Sequence, residues 1–381
     1  MEIGIIFKKS IKFYFLIFIL ILFSFCAKAQ SNDWYAFRNP KTDLIGFKNK
    51  KGVTEIPAKF DNLSTQAIFK NVIAVHDYKS GHSYYLLKNG ERFGTDSMYV
   101  YDNGYDEENE GKIRFRDNKT DKVGFFDIKG KIVIPANYDD AQPFHNGFAL
   151  VTHNGKRVCL DGSIYNSKSP CENWAWNGKT ALIDAHNHII SDNIPLSELS
   201  DIDWYKLKIT KSQPDTALYT SFKTKNGSYY SFLNYKKEFT KWFNQVYLIN
   251  LNYKALNSCY RKVSVEEPSK KKITAFFLKS VFLRRYQSIL IKEMQAIKTG
   301  AVSPEIFSAE LNDYIFTYKQ FPNFYYFADG NPYKKTYPIF NVVITYVKKE
   351  GKLNYQNQFT FIRIENSYQL IEVALNVGKE Q

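Results

Sequence analysis

The chain is poor in cysteine, methionine and tryptophan, and its histidines run out before the middle. Four cysteines in 381 residues exclude a small disulfide-scaffold protein. The six histidines, at 76, 82, 145, 153, 186 and 188, leave the second half without any. No Gly-rich phosphate-cradling loop occurs, and no motif calls for a cofactor. The longest apolar run, Phe13 to Phe25, would span about 20 Å as a helix, short of the ~30 Å of a bilayer core. What is abundant is aromatic: 31 Phe and 28 Tyr, in a chain 44% hydrophobic and 24% charged. That is too apolar for disorder and too polar for a multi-span membrane protein. The length suits two or three cores at roughly 150 residues each.

Lys8, Lys9 and Lys12 precede the apolar run, and Ala27-Lys28-Ala29 follows it. A basic stretch, a short apolar core and a small-x-small site predict a signal peptide over residues 1–29, cleaved near Gln30, and hence a periplasmic or extracellular protein. An uncleaved anchor is the competing reading. Lipid attachment at Cys26 is disfavoured by the bulky Phe25 before it. The net charge of +14 is unevenly placed. Residues 30–200 carry 21 Lys and Arg against 22 Asp and Glu, whereas residues 201–381 carry 27 against 15. Such asymmetry points to two different domains. Cys159 and Cys171 lie twelve residues apart. In an oxidising compartment they can bridge; the other reading makes them, with Cys259, small buried hydrophobes.

Two segments of the first half align. Ile45-Gly46-Phe47, Gly52, Ile56-Pro57 and Phe60-Asp61 are matched by Val123-Gly124-Phe125, Gly130, Ile134-Pro135 and Tyr138-Asp139. Each unit reads as a strand, a glycine turn, and a return strand checked by proline. Weaker copies occur around Asn89-Gly90, Asp161-Gly162 and Asp184 to Ile190. A single hairpin cannot bury its own apolar face, whereas stacked copies can. The pattern resembles the WG repeat of bacterial exported and surface proteins, with Phe144, Gly147, Ala149 and Val151 completing the second unit. Ile45 and Val123 stand where that repeat has tryptophan. The resemblance implies an interaction or scaffold role and carries no catalytic residues with it.

The expected architecture is therefore mixed: an all-β array of short antiparallel hairpins over residues 30–190, a linker over 191–203, and a basic α+β domain over 204–381. Tyr205 to Ile209 and Ala217 to Leu233 read as strands around Asn226-Gly227. Phe276, Leu283, Leu290 and Ile297 recur every seven residues and predict a helix ending at Gly300. Ser303 and Pro304 predict the start of a second helix carrying Phe307, Leu311, Tyr314, Ile315 and Tyr318. An earlier helix is expected over Tyr235 to Leu256. Ile339 to Val347, Gln358 to Glu365 and Tyr368 to Leu375 read as a meander, turned at Lys349-Glu350-Gly351 and Asn366-Ser367. Helices followed by such a sheet resemble NTF2-like or cystatin-like folds.

Three chemical motifs are weighed and set aside. His186-Asn187-His188 has the spacing of a zinc-binding pair in amidohydrolase barrels, but no later histidine exists to complete that site. Gly81-His82-Ser83-Tyr84-Tyr85 lacks the last glycine of a nucleophile elbow. Asp102 to Glu110 is acidic without calcium-loop spacing and reads as a solvated loop. The basic residues Lys271, Lys272, Lys279, Arg284 and Arg285 form a candidate anion-binding face, with an ordinary solvated helix face as the bland alternative. The function expected is non-catalytic: an exported protein binding an envelope protein, an anionic polysaccharide or lipid head groups, with export arguing against nucleic acid. The alternative is a small-molecule or enzymatic pocket in the C-terminal domain, built from carboxylates, Tyr or Lys.

Overall fold

The computed structural model describes residues 32–101, 103–251, 258–267, 272–328, 331–347 and 353–376. The expected signal peptide, Lys271 and the Lys349–Gly351 turn lie outside them. The chain divides into two compact units, one ending at Pro143 and the other beginning at Phe144. The architecture is mostly β, short antiparallel sheets giving way to an α+β region. Among the described residues no helix is long and apolar enough to cross a membrane.

In the first unit, seven strands form one sheet in the order Ile68–Phe69, Trp34–Arg38, Ile45–Lys48, Thr54–Phe60, Val72–Asp77, His82–Leu87, Arg92–Phe93. A second sheet holds Lys112–Asp117, Lys122–Asp127 and Ile132–Tyr138. The two aligned segments share a register. Ile45 pairs with Phe60 and Phe47 with Ile56; Val123 pairs with Tyr138 and Phe125 with Ile134, each pair of contacts separated by a bulge. The ribbon Val72–Leu87 feeds two cores because alternate residues face opposite sides. Ile73, Val75, Tyr84 and Leu86 join Phe47, Phe60 and Phe69, whereas Val72, Ala74, Tyr85 and Leu87 join Ile113, Phe115 and Phe126. Hairpins that could not stand alone thus bury their apolar residues against neighbouring ribbons, in two separate clusters on opposite faces of Val72–Leu87.

One turn recurs six times among the described residues. The first residue donates its N–H to the carbonyl four residues on and accepts from the N–H three residues on, at Asn49, Leu87, Asp127, Cys159, Asp184 and Thr224. The fourth position needs positive φ and is filled by Gly52, Gly90, Gly130, Gly162, Asn187 and Gly227. The Thr224 copy lies beyond the stretch that the sequence pattern assigned to repeats.

In the second unit, the long hairpin Phe148–Cys159 with Trp174–Asp184 continues into Ile189–Ser191, and Ile202–Thr210, Tyr229–Asn234 and Tyr219–Lys223 form a further sheet. The C-terminal sheet has six strands, in the order Lys272–Leu278, Cys259–Glu267, Ser367–Leu375, Leu353–Ile364, Ile339–Val347, Glu305–Ala309. Its strand pairs are antiparallel except Cys259–Glu267 with Ser367–Leu375. Helices α1 (Tyr235–Trp242) and α2 (Lys279–Lys298) pack on one face, with Phe239, Phe282, Leu290 and Met294 against Val263, Phe340, Phe359 and Phe361. Leu311, Phe316, Phe321 and Phe324 cover part of the other face, against Ile339, Ile362 and Ile371.

The terminal meander is found where the pattern placed it. Three helical expectations are corrected. The predicted helix after Ser303 and Pro304 is instead the edge strand Glu305–Ala309, paired with Ile339–Val347. A local capping signal yields here to a ladder contributed by residues some thirty positions away, which residue spacing does not reveal. Phe276 belongs to the strand Lys272–Leu278 and packs on Phe316 and Phe321, so α2 starts at Lys279 and not earlier. Helix α1 is capped by the Asn234 side chain, which accepts from the Lys237 N–H at 3.0 Å. It passes at Phe243 into a π-turn over Phe243–Tyr247, shorter than the expected 235–256, of which 252–256 lie outside the described residues.

Candidate functional site: the basic face of helix α2

Helix α2 has two unlike faces. Phe282, Leu290, Met294 and Ile297 are buried against the sheet. Arg284, Arg285, Lys292 and Lys298 are exposed, and Lys279 is half-buried at the start. The helix has a single carboxylate, Glu293, and it turns inward, accepting a 2.6 Å hydrogen bond from the Tyr346 hydroxyl. The outward surface therefore carries charge of one sign over a helix of 20 residues, about 30 Å at 1.5 Å per residue. The Arg285 guanidinium lies 5.1 Å from the Phe277 ring centroid, and Lys298 Nζ lies 3.3 Å from the Ile249 carbonyl oxygen. Among the described residues none of Arg284, Arg285 and Lys292 forms an ion pair. Lys272 opens the preceding strand, opposite Glu267.

The other residues singled out in the sequence take structural places. The Cys159 and Cys171 sulfurs are bonded to each other. Cys259 is a buried thiol outside the disulfide, and burial pushes its pKa up to about 12. His186 and His188 sit in a turn organised by Asp184, whose Oδ1 accepts from both of their N–H groups at 2.9 Å. The same carboxylate is held below the usual range by those bonds, which outweigh its burial. Among the described residues no group of three or more His, Cys, Asp and Glu is placed to hold a metal. The Ser83 hydroxyl lies between Tyr105 Oη at 2.6 Å and His76 Nδ1 at 3.1 Å, on the paired strands Val72–Asp77 and His82–Leu87.

The acidic stretch is solvated only in part, with Glu107 and Glu110 exposed. Asp106 and Glu108 are buried. Asp106 receives the backbone N–H of Arg114 at 2.8 Å and is ion-paired to its guanidinium, which stacks 4.0 Å from the Tyr99 ring centroid. Glu108 accepts from the N–H groups of Asn71 and Val72 at 2.8 and 3.0 Å. Sequence reading missed both, because their partners arrive from separate strands. Beside them lies a cleft of about 330 Å³ whose buried carboxylates are already engaged.

The two aligned segments now have a common register, a common turn and matching bulges. Residues 124–156 match the family of the WG containing repeat. This chain carries a WG repeat. The match starts at Gly124 and takes in Gly130, Pro135, Tyr138 and Asp139. The aspartate of the WG pattern serves different ends in the two copies. Asp139 pairs with Lys122, whereas Asp61 accepts from the Leu63 and Ser64 N–H groups, both at 3.0 Å. No curated protein matches the chain.

Proposed function

We propose that this is an exported, non-catalytic binding protein whose WG-repeat portion is a β scaffold and whose α2 face contacts an anionic surface polysaccharide. One observation carries the reading: the outward face of α2 presents Arg284, Arg285, Lys292 and Lys298 while its one carboxylate is buried on Tyr346. Helix stability accounts for Lys298, a cation in the last turn, but not for Arg284, Arg285 and Lys292. A helix gains from acidic residues in its first turn, and α2 has none there. The excess of Lys and Arg over residues 201–381 adds a long-range field of the same sign.

The test is binding of the mature chain to immobilised polygalacturonate, with uncharged dextran as control. Binding is expected to weaken steeply between low and high salt, as counterion-coupled contacts do. The triple variant Arg284→Glu, Arg285→Glu, Lys292→Glu should lose it, since all three side chains point to solvent. Equal retention on dextran, or unchanged retention of the triple variant, refutes the reading. Retention by phosphatidylglycerol vesicles alone would move the target from polysaccharide to lipid head groups.

A further inference from the structure

Where the strand Ile202–Thr210 approaches the edge strand Glu305–Ala309, the second unit holds a cleft of about 580 Å³. That volume is within the roughly 300–1,000 Å³ of small-molecule sites. Two carboxylates, Asp201 and Asp203, line it, and both are held in place by neutral donors. The Ser308 hydroxyl donates to Asp201 Oδ1 at 2.5 Å. The Tyr235 hydroxyl donates to Asp203 Oδ2 at 2.5 Å, and the Tyr205 N–H to Asp203 Oδ1 at 3.0 Å. Burial, and then the Asp203 carboxylate, push the Tyr235 pKa up, so it remains a donor. Among the described residues neither aspartate forms an ion pair, and no Lys or Arg lines the cleft. An ionised carboxylate offers about four acceptor positions, so each retains capacity beyond these bonds.

Aromatic rings complete the walls. Trp204 is half-buried and fixed by its edge-on contact with Phe232, at 5.1 Å between centroids. Tyr337 is half-buried and anchored by its hydroxyl to the Asn323 carbonyl at 3.1 Å. Tyr205 is 66% exposed at the mouth. Two cations lie over the Tyr235 ring without lining the cleft: Arg363 lies 5.0 Å from its centroid and is bound in a fork to Glu238 at 2.7 and 3.1 Å. Lys206 Nζ lies 5.5 Å from the same centroid.

We infer that this cleft is a binding site for a neutral oligosaccharide. Hydroxyl pairs of a sugar supply the donors that two oriented carboxylates lack, and its C–H faces pack on aromatic rings. An anionic ligand would meet two negative charges in the cleft and is disfavoured. The inference is independent of the α2 reading, because the two sites share no residue and call for ligands of opposite character.

The test is calorimetric titration of the mature chain with cellotriose, maltotriose and chitotriose. Binding of at least one is expected, with weakening of about tenfold or more in Asp201→Asn and in Asp203→Asn. Both changes keep the side-chain shape while removing the charge, and thermal melts verify folding. Tyr205→Ala, at an exposed position, gives a second variant expected to weaken binding if an aspartate change disturbs the fold. No heat from any of the three sugars at about 10 mM, the weak limit of such sites, overturns the inference. So does binding left unchanged in Asp203→Asn and Tyr205→Ala, or binding of galacturonate trimer in preference to the neutral sugars.

Discussion

Gly46 and Gly124 occupy the same niche in two copies of one hairpin. A Cβ on Gly46 would lie 2.6 Å from the Ile56 carbonyl oxygen and 2.7 Å from Phe37 Cε1. A Cβ on Gly124 would lie 2.6 Å from the Ile134 carbonyl oxygen and 2.8 Å from Phe115 Cε1. The glycine is needed for space at the bulge, where the return strand crosses close to it, and not for a left-handed backbone. Gly124→Ala and Gly46→Ala should each lower stability by about 2 kcal/mol or more, as forced overpacking of a rigid backbone does. Gly52 is the contrast: its φ is +78° but no atom lies within 4 Å of its Cβ position, so Gly52→Ala should cost about 1 kcal/mol, the left-handed penalty alone. Denaturant midpoints of the three variants check the order.

Cys159 stands opposite Trp174 at the far end of the long hairpin, and its bond to Cys171 closes the connection beyond it. Constraining a loop of this length in the unfolded chain is worth about 3 kcal/mol in the chain-entropy model. The double variant Cys159→Ala, Cys171→Ala should unfold earlier by that order under non-reducing conditions. Reduction of the native protein should release Cys159 and Cys171 to iodoacetamide while Cys259, buried and poorly ionised, stays unlabelled until unfolding. Peptide mass spectrometry distinguishes the three sites.

Glu372 sits in a cross-sheet row with Ser264 on one side and Thr360 on the other, both buried. Burial first, and then the Glu266 carboxylate, push its pKa from 4.5 to about 7, against the opposing Ser264 hydroxyl. The folded state thus holds this proton more tightly than the unfolded state. The stabilisation it confers is complete below pH 4.5 and is lost as pH rises towards 7. At about 1.4 kcal/mol per pKa unit the loss is at most about 3 kcal/mol. Glu372→Gln should flatten that slope and be more stable than the parent chain at pH 8. Urea midpoints of the two proteins between pH 4 and 8 measure it.

The periodicity of 2 in the terminal meander, the glycine turns and the two aligned hairpins could be read directly, because each depends on neighbours within a few residues. Gly130 marks the turn wherever the chain goes next, but Pro135, expected to end the return strand, lies inside Ile132–Tyr138, at the bulge between the Ile134 and Tyr138 pairings, where no ladder donor is required of it. The segment after Ser303 shows where such reading stops: its capping residues are local, but its strand partner is Ile339–Val347. The charge of α2 was legible as composition; that Glu293 faces inward and the cations outward was decided by which stripe met the sheet.

The sequence by itself determined the repeat, its turns and the positive excess of the second half, since these are properties of short stretches and of sums. Tertiary structure alone decided that Asp106 and Glu108 are buried anchors, that Cys159 meets Cys171, and that Asp201 and Asp203 share a cleft with Ser308 and Tyr337. Those relations join residues up to more than a hundred positions apart, and only chain packing brings such groups within bonding distance.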